Sequence, residues 1–179
     1  MARPLKIVTL CTGNVARSVM LGYMLTTIAE ATGADWKVRT AGTLVIEGKA
    51  MSARTRGALL SIEELGGHHY NAHRSNQLSG ADVAWADVVL ASEADHVNYV
   101  RANFARGAAV AVQLHQFVRY APLDEPFPVQ LEVVASLALE PELDVVDPAG
   151  GDDAMYVACA NELWELAQVF ATLVGEEPF

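Results

Sequence analysis

A chain of 179 residues that is 52% hydrophobic is long enough to bury a sizeable core and too apolar to be disordered. Its 12 basic against 22 acidic residues, a formal charge of −10, exclude the basic footprint of a nucleic-acid partner, so any anionic ligand must be attracted locally. Its two cysteines, Cys11 and Cys159, exclude a disulfide framework, and no pair has metal-ligand spacing.

In chain order, residues 5–10 are a short apolar run suited to a buried parallel strand. The segment 11–18 breaks it. Residues 18–33 then read as a helix, with Ser18 at its start, Met20, Met24, Leu25, Ile28 and Ala29 on one stripe and Gly33 as its stop. Residues 36–42 predict a second strand, which completes a βαβ unit. A loop over 43–51 leads to a helix over 52–65, stopped by Gly66-Gly67. A polar stretch follows with His68, His69 and His73. It is read as a solvated loop or a His73–Arg74 contact rather than a metal site.

A short helix over 81–86, a third strand over 87–92, a helix over 93–104 and a fourth strand over 108–114 come next. Four prolines interrupt 117–143, where only 129–139 has a helical pattern. The stretch is expected to be a surface insertion or lid. The last helix, 153–174, has Asp152 or Asp153 as its cap and Met155, Val157, Leu163, Leu166, Val169, Phe170 and Leu173 facing inward, with Cys159 as a small buried hydrophobe. Alternating elements with short connections predict one α/β domain over 1–179, an open parallel sheet with helices on both faces. No apolar run approaches a membrane span and the first residues lack a secretory apolar stretch. The expectation is a cytoplasmic protein with no membrane partner. The sequence carries no signal for an oligomeric state.

The chemistry is concentrated in Cys11-Thr12-Gly13-Asn14-Val15-Ala16-Arg17-Ser18. A strand end, a tight loop and a helix start aim several backbone N–H groups and a helix dipole at one point. Gly13 and Asn14 are the residue types that best tolerate left-handed backbone in such a loop. A phosphate fits there, and the same donors favour a thiolate at Cys11, the nucleophilic form. The thiolate attacks phosphorus, the planar fork of Arg17 matches two phosphoryl oxygens, and charge is held without a metal or other cofactor. Ser18 can donate to the sulfur, and Asn14 can brace the loop. Asp147, before Pro148, is either the acid that protonates the leaving atom and then activates water, or a turn or cap residue of an Asp-Pro pair.

These segments resemble the low-molecular-weight protein tyrosine phosphatase family. The matching stretches are the loop at 11–18, Arg39-Thr40-Ala41-Gly42-Thr43, residues 86–92, and Val145-Val146-Asp147-Pro148-Ala149-Gly150-Gly151 before a final helix. A Cys-x5-Arg-Ser loop alone occurs in unrelated phosphatases, but its place near the N-terminus with an Asp-Pro near the C-terminus is specific. The resemblance implies a flavodoxin-like fold with a four-stranded parallel sheet. It implies Cys11 as nucleophile, Arg17 with the amides of Thr12, Gly13, Asn14, Val15, Ala16 and Ser18 as phosphate site, and Asp147 as general acid. The implied activity is a metal-independent phosphatase acting on phosphotyrosine-type groups of a phosphorylated protein.

The departures are informative. Ala16 stands where the family often has a second cysteine, and Val19 where proline is usual. Leu44, Val45, Ile46 and Ala149-Gly150-Gly151 replace the usual aromatics. Thr12, with Asp-Pro-x-Gly-Gly and Tyr156, is similar to the bacterial protein-arginine phosphatase branch. An arsenate reductase using a small external thiol, and a module that only binds a phosphorylated partner, are rival readings of the same residues.

Overall fold

Strand β1 (Leu5–Cys11) is the axis of the molecule, paired on one side with β2 (Trp36–Gly42) and on the other with β3 (Val88–Ala91), beyond which lies β4 (Ala111–Gln113). All pairings are parallel, in the order β2-β1-β3-β4. The computed structural model describes residues 3–175; residues 1–2 and 176–179, the two ends of the expected domain, lie outside the described residues. Eight helices connect and cover the strands among the described residues: α1 (Arg17–Thr32), α2 (Ala53–Leu60), α3 (Gly80–Trp85), α4 (Ala94–Asn103), α5 (Gly107–Val110), α6 (Leu114–Tyr120), α7 (Phe127–Ala135) and α8 (Asp153–Leu173). This is the expected four-stranded, flavodoxin-like α/β arrangement.

The strands alternate, as a two-residue period demands. Ile7, Val88, Leu90 and Val112 face a core built with α1, α6, α7 and α8. Val8, Leu10, Val89 and Ala91 face a second core closed by Val83 of α3 and Val97 and Val100 of α4. Both faces are covered, which is why these strands read as continuous apolar runs. Gly33 ends α1 in the left-handed conformation at φ 77°, where a side chain would be strained. Asp152 caps α8 by accepting from the Met155 backbone N–H at 3.0 Å.

Several expected boundaries move. The fourth strand, expected over 108–114, is confined to residues 111–113. Ala108 and Ala109 are good helix formers and make the turn α5, and helix α6 starts at Leu114. The helix expected to Leu65 ends at Leu60. Ile62 is extended, and a 3-10 turn over Glu63–Leu65 then buries Leu65. Ser18 does not cap α1: Ala16 holds that position without a side-chain bond, and the Ser18 hydroxyl is used elsewhere. In α8 Met155 and Val169 are exposed rather than inward. Leu163, Leu166 and Phe170 are buried as expected, together with Tyr156, Cys159, Ala160, Trp164, Ala167 and Ala171. Residues 117–143, expected as an insertion or lid, give Phe117, Leu131 and Val134 to the core. Helix α7 starts after Pro126, earlier than the pattern suggested, because Pro128 fits a first helical turn.

Phe170 links these layers. It is fully buried, with its ring 5.3 Å from Phe117 and 6.0 Å edge-on from Trp36. Phe170→Ala is expected to destabilise the fold by about 3–5 kcal/mol through lost contacts and an unfilled cavity, measured by urea unfolding. A loss under about 1 kcal/mol would contradict this packing.

Candidate active site

The segment after Cys11 starts where β1 stops and α1 has not begun. Cys11 pairs with Gly42 on the last rung of the β1–β2 ladder. Beyond it the Thr43 and Leu44 N–H groups donate to the Cys11 and Thr12 carbonyls, each at 3.0 Å. Gly42 has room for no side chain, since a Cβ would run into the Thr12 carbonyl and the Val45 side chain. Asn14 sits at φ 52°, as its residue type permits. Among the described residues no protein acceptor is seen for the N–H groups of Gly13, Asn14, Val15 and Ala16. Successive donors without acceptors, ahead of a helix N-terminus, form an anion cradle.

Side chains hold the loop in that shape. Asn14 Nδ2 donates to Ser18 Oγ at 2.9 Å, and Asn14 Oδ1 accepts from the Asn76 N–H at 2.9 Å. His73 Nε2 donates to the Asn14 carbonyl at 2.8 Å, and Thr55 Oγ1 donates to the Val15 carbonyl at 3.0 Å. Ser18 Oγ lies 3.0 Å from Cys11 Sγ. Because Asn14 already donates to that oxygen, the Ser18 hydrogen is free for the sulfur. His73 is therefore a brace for the loop. The expected His73–Arg74 contact is present as well, through Arg74 Nη1 and the His73 carbonyl. Among the described residues no group of three metal-binding side chains occurs.

Arg17, only 1% exposed, is held from the far side. Its Nη1 pairs with Glu93 Oε1 and donates to the Val145 carbonyl at 2.8 Å, and its Nη2 lies 3.1 Å from Asp147 Oδ2. None of these bonds involves Nε, so one edge of the fork stays available for two anion oxygens. Residues 144–147 are strapped across the carboxyl end of β3. The Val145 N–H donates to the Ser92 carbonyl at 2.9 Å. Asp144 Oδ1 accepts from the Ala94 N–H and from Gln113 Nε2, both at 2.7 Å. Burial raises the Asp144 carboxyl above its usual range, against the pull of the Ala94 bond. Asp147 itself is 43% exposed and accepts from the Ala149 N–H at 3.1 Å. It combines the turn role with a place at the site.

The structure thus gathers Cys11, Arg17, Ser18 and Asp147, as the sequence predicts, and adds Glu93, His96 and Asp144. Glu93 and His96 follow directly on β3, and side chains just past the carboxyl ends of strands are the ligand-facing ones in open parallel sheets. That rule is the signal that would have found them. Cys159 is buried, and burial pushes its thiol up to about 12, so it stays a neutral packing group.

Burial also pushes the His96 imidazole down to about 4, against the pull of Glu93 and with a push from Arg17. Between about pH 6.5 and 4 the unfolded chain therefore holds a proton that the folded chain lacks, and stability falls as pH falls through that window. The melting temperature of His96→Gln is expected to drop less steeply than that of wild type on acidification through this window. Equal slopes would refute the assignment.

The chain is similar to known proteins over most of its length. The sequence pattern of the low molecular weight phosphotyrosine protein phosphatases matches residues 6–133. A protein-arginine-phosphatase of Geobacillus stearothermophilus is 28% identical over 174 residues, covering 97% of this chain and 99% of the relative. That of Bacillus subtilis (strain 168) is 30% identical over 166 residues, covering 92% and 93%. Among solved structures, a Cys-to-Ser mutant of an arginine phosphatase with a phosphorylated active-site serine superposes with a TM-score of 0.74 at 26% identity, covering 93% of each chain. With that match and this loop, the chain belongs to the low-molecular-weight phosphotyrosine protein phosphatase family.

Proposed function

We propose that the protein is a metal-independent protein phosphatase working through a phosphocysteine at Cys11, with phosphoarginine its preferred substrate class over phosphotyrosine. The observation that carries the chemistry is the Cys11 sulfur, 3.0 Å from a hydroxyl that is free to donate, at the mouth of a loop of unpaired amides. In the first step the thiolate attacks phosphorus. An S–P bond forms, the bond to the leaving atom breaks, and that atom takes its proton from Asp147. In the second step Asp147, now a carboxylate, takes a proton from water as the water attacks the phosphocysteine. The S–P bond breaks, and the departing thiolate is met by the Ser18 O–H. Arg17 and the amides hold charge on the phosphoryl oxygens throughout. The relative trapped with a phosphorylated serine supports a covalent intermediate.

The walls of the site support the substrate choice. Leu44 and Ile46 on the loop after β2 are 77% and 72% exposed, and Val146 beside Asp147 is 68% exposed. These are aliphatic groups where a phosphotyrosine ring would find stacking partners in an aromatic-lined site. The named activity of both curated relatives points the same way. The test is hydrolysis of matched phosphoarginine and phosphotyrosine peptides in the presence of a chelator. The expected result is release of phosphate from both, with kcat/KM for phosphoarginine at least about tenfold higher, roughly 1.4 kcal/mol of transition-state discrimination. Faster turnover of phosphotyrosine would reverse the substrate choice, and dependence on metal would reject the mechanism.

A further inference from the structure

Thr12 directly follows Cys11, and its hydroxyl makes a bond to another element. Thr12 Oγ1 lies 2.9 Å from Nε2 of His96, a buried residue on the first turn of α4. Oε2 of Glu93 stands 3.7 Å from the same nitrogen. The other ring nitrogen, Nδ1, is buried and has no hydrogen-bond partner among the described residues. A ring this buried is neutral and carries one N–H. Two arguments put that hydrogen on Nε2. A buried N–H without an acceptor is the rarer and costlier defect, so Nδ1 is better left as a bare lone pair. The Glu93 carboxylate also attracts the hydrogen to the nitrogen that faces it. Nε2–H then donates to Thr12 Oγ1. The Thr12 oxygen is used as an acceptor, and its own single hydrogen is left to point away from His96.

We propose that His96 is a positioning residue: by donating to Thr12 it turns the Thr12 hydroxyl outward as a donor to an anion held in the 11–18 loop. The proposal rests on the phosphatase reading above. In it, α4 contributes to the cradle indirectly, and Glu93 serves two groups at once, with one oxygen on Arg17 and the other toward His96. No bond is made or broken at Thr12. Its role is one hydrogen bond to the phosphoryl group.

The test measures inhibition of p-nitrophenyl phosphate hydrolysis by inorganic phosphate. Thr12→Val, which keeps the shape and removes the hydroxyl, is expected to raise the inhibition constant about tenfold, the effect of one hydrogen bond to a charged group. His96→Asn, whose amide nitrogen replaces the wrong ring position, is expected to do the same. His96→Gln, whose amide nitrogen replaces Nε2, is expected to restore the constant to within about threefold of wild type. With Thr12→Val already present, His96→Asn is expected to add less than about twofold. A purely structural role for His96 would give equal losses in both backgrounds and no rescue by glutamine, and either result overturns the proposal. A change under about twofold in Thr12→Val overturns it without any change at the buried histidine. Absence of p-nitrophenyl phosphate turnover by wild type would instead reject the phosphatase reading itself.

Discussion

Cys11→Ser is expected to bring aryl phosphate hydrolysis down to background, a loss of at least about 10⁴-fold. A serine hydroxyl stays protonated where a thiol loses its proton. The Cys11 sulfur is hydrogen-bonded to the Ser18 hydroxyl at 3.0 Å, itself already taking a hydrogen bond from Asn14. The substitution leaves the amides of residues 13–16 and the Arg17 fork in place. The variant should therefore still bind inorganic phosphate within about tenfold of wild type, as read by calorimetry. Chemistry and binding separate in this one variant. Turnover within about tenfold of wild type would mean that the sulfur is not the nucleophile.

Arg17→Lys is expected to lower kcat/KM by about 10³-fold, within the range seen when a transition-state arginine is removed. Charge is conserved, so the loss is one of shape. The guanidinium spans Glu93, the Val145 carbonyl and Asp147 at once, and a single ammonium cannot do this while also presenting an edge to phosphate. Two consequences should appear together. KM rises because the fork is gone, and kcat falls because residues 144–147 lose one of the bonds that set Asp147 against the leaving atom. Steady-state kinetics on p-nitrophenyl phosphate separates the two. A change confined to KM would show that Arg17 serves binding alone.

How much of this was legible in the chain depends on where each group comes from. The 11–18 loop is local, and its residue types carry their own backbone preferences, so Cys11, Asn14, Arg17 and Ser18 could be read directly. Asp147 could be nominated because the proline after it restricts the backbone, but its partner Arg17 is 130 residues away, and only the sheet brings them together. Glu93 and His96 look like ordinary surface residues at the start of a helix. Their meaning comes from the short strand β3, which delivers them beside the loop. His73 sits in a polar stretch with no periodicity, where a solvated histidine is the common case. The errors in the fold have a similar origin. Ala108 to Val112 is apolar in either state, and a strand of three residues is too short for alternation to declare itself. Ser18 looked like a cap because of its residue type, yet Asn14 and Cys11 claim its hydroxyl.

The attachment of the loop to Gly42 bears on motion. The Thr43 and Leu44 amides close on the Cys11 and Thr12 carbonyls at the end of β1, a strand paired on both of its edges. Core strands of this kind open only in the costliest fluctuations of a protein. The exchange of these two amide hydrogens with solvent deuterium is therefore a clock for the whole molecule, slow in step with the slowest amides of β1. The cradle should stay assembled as long as the protein stays folded, ready for phosphate without an ordering step. Substrate traffic would then be governed by the exposed aliphatic rim at Leu44, Ile46 and Val146.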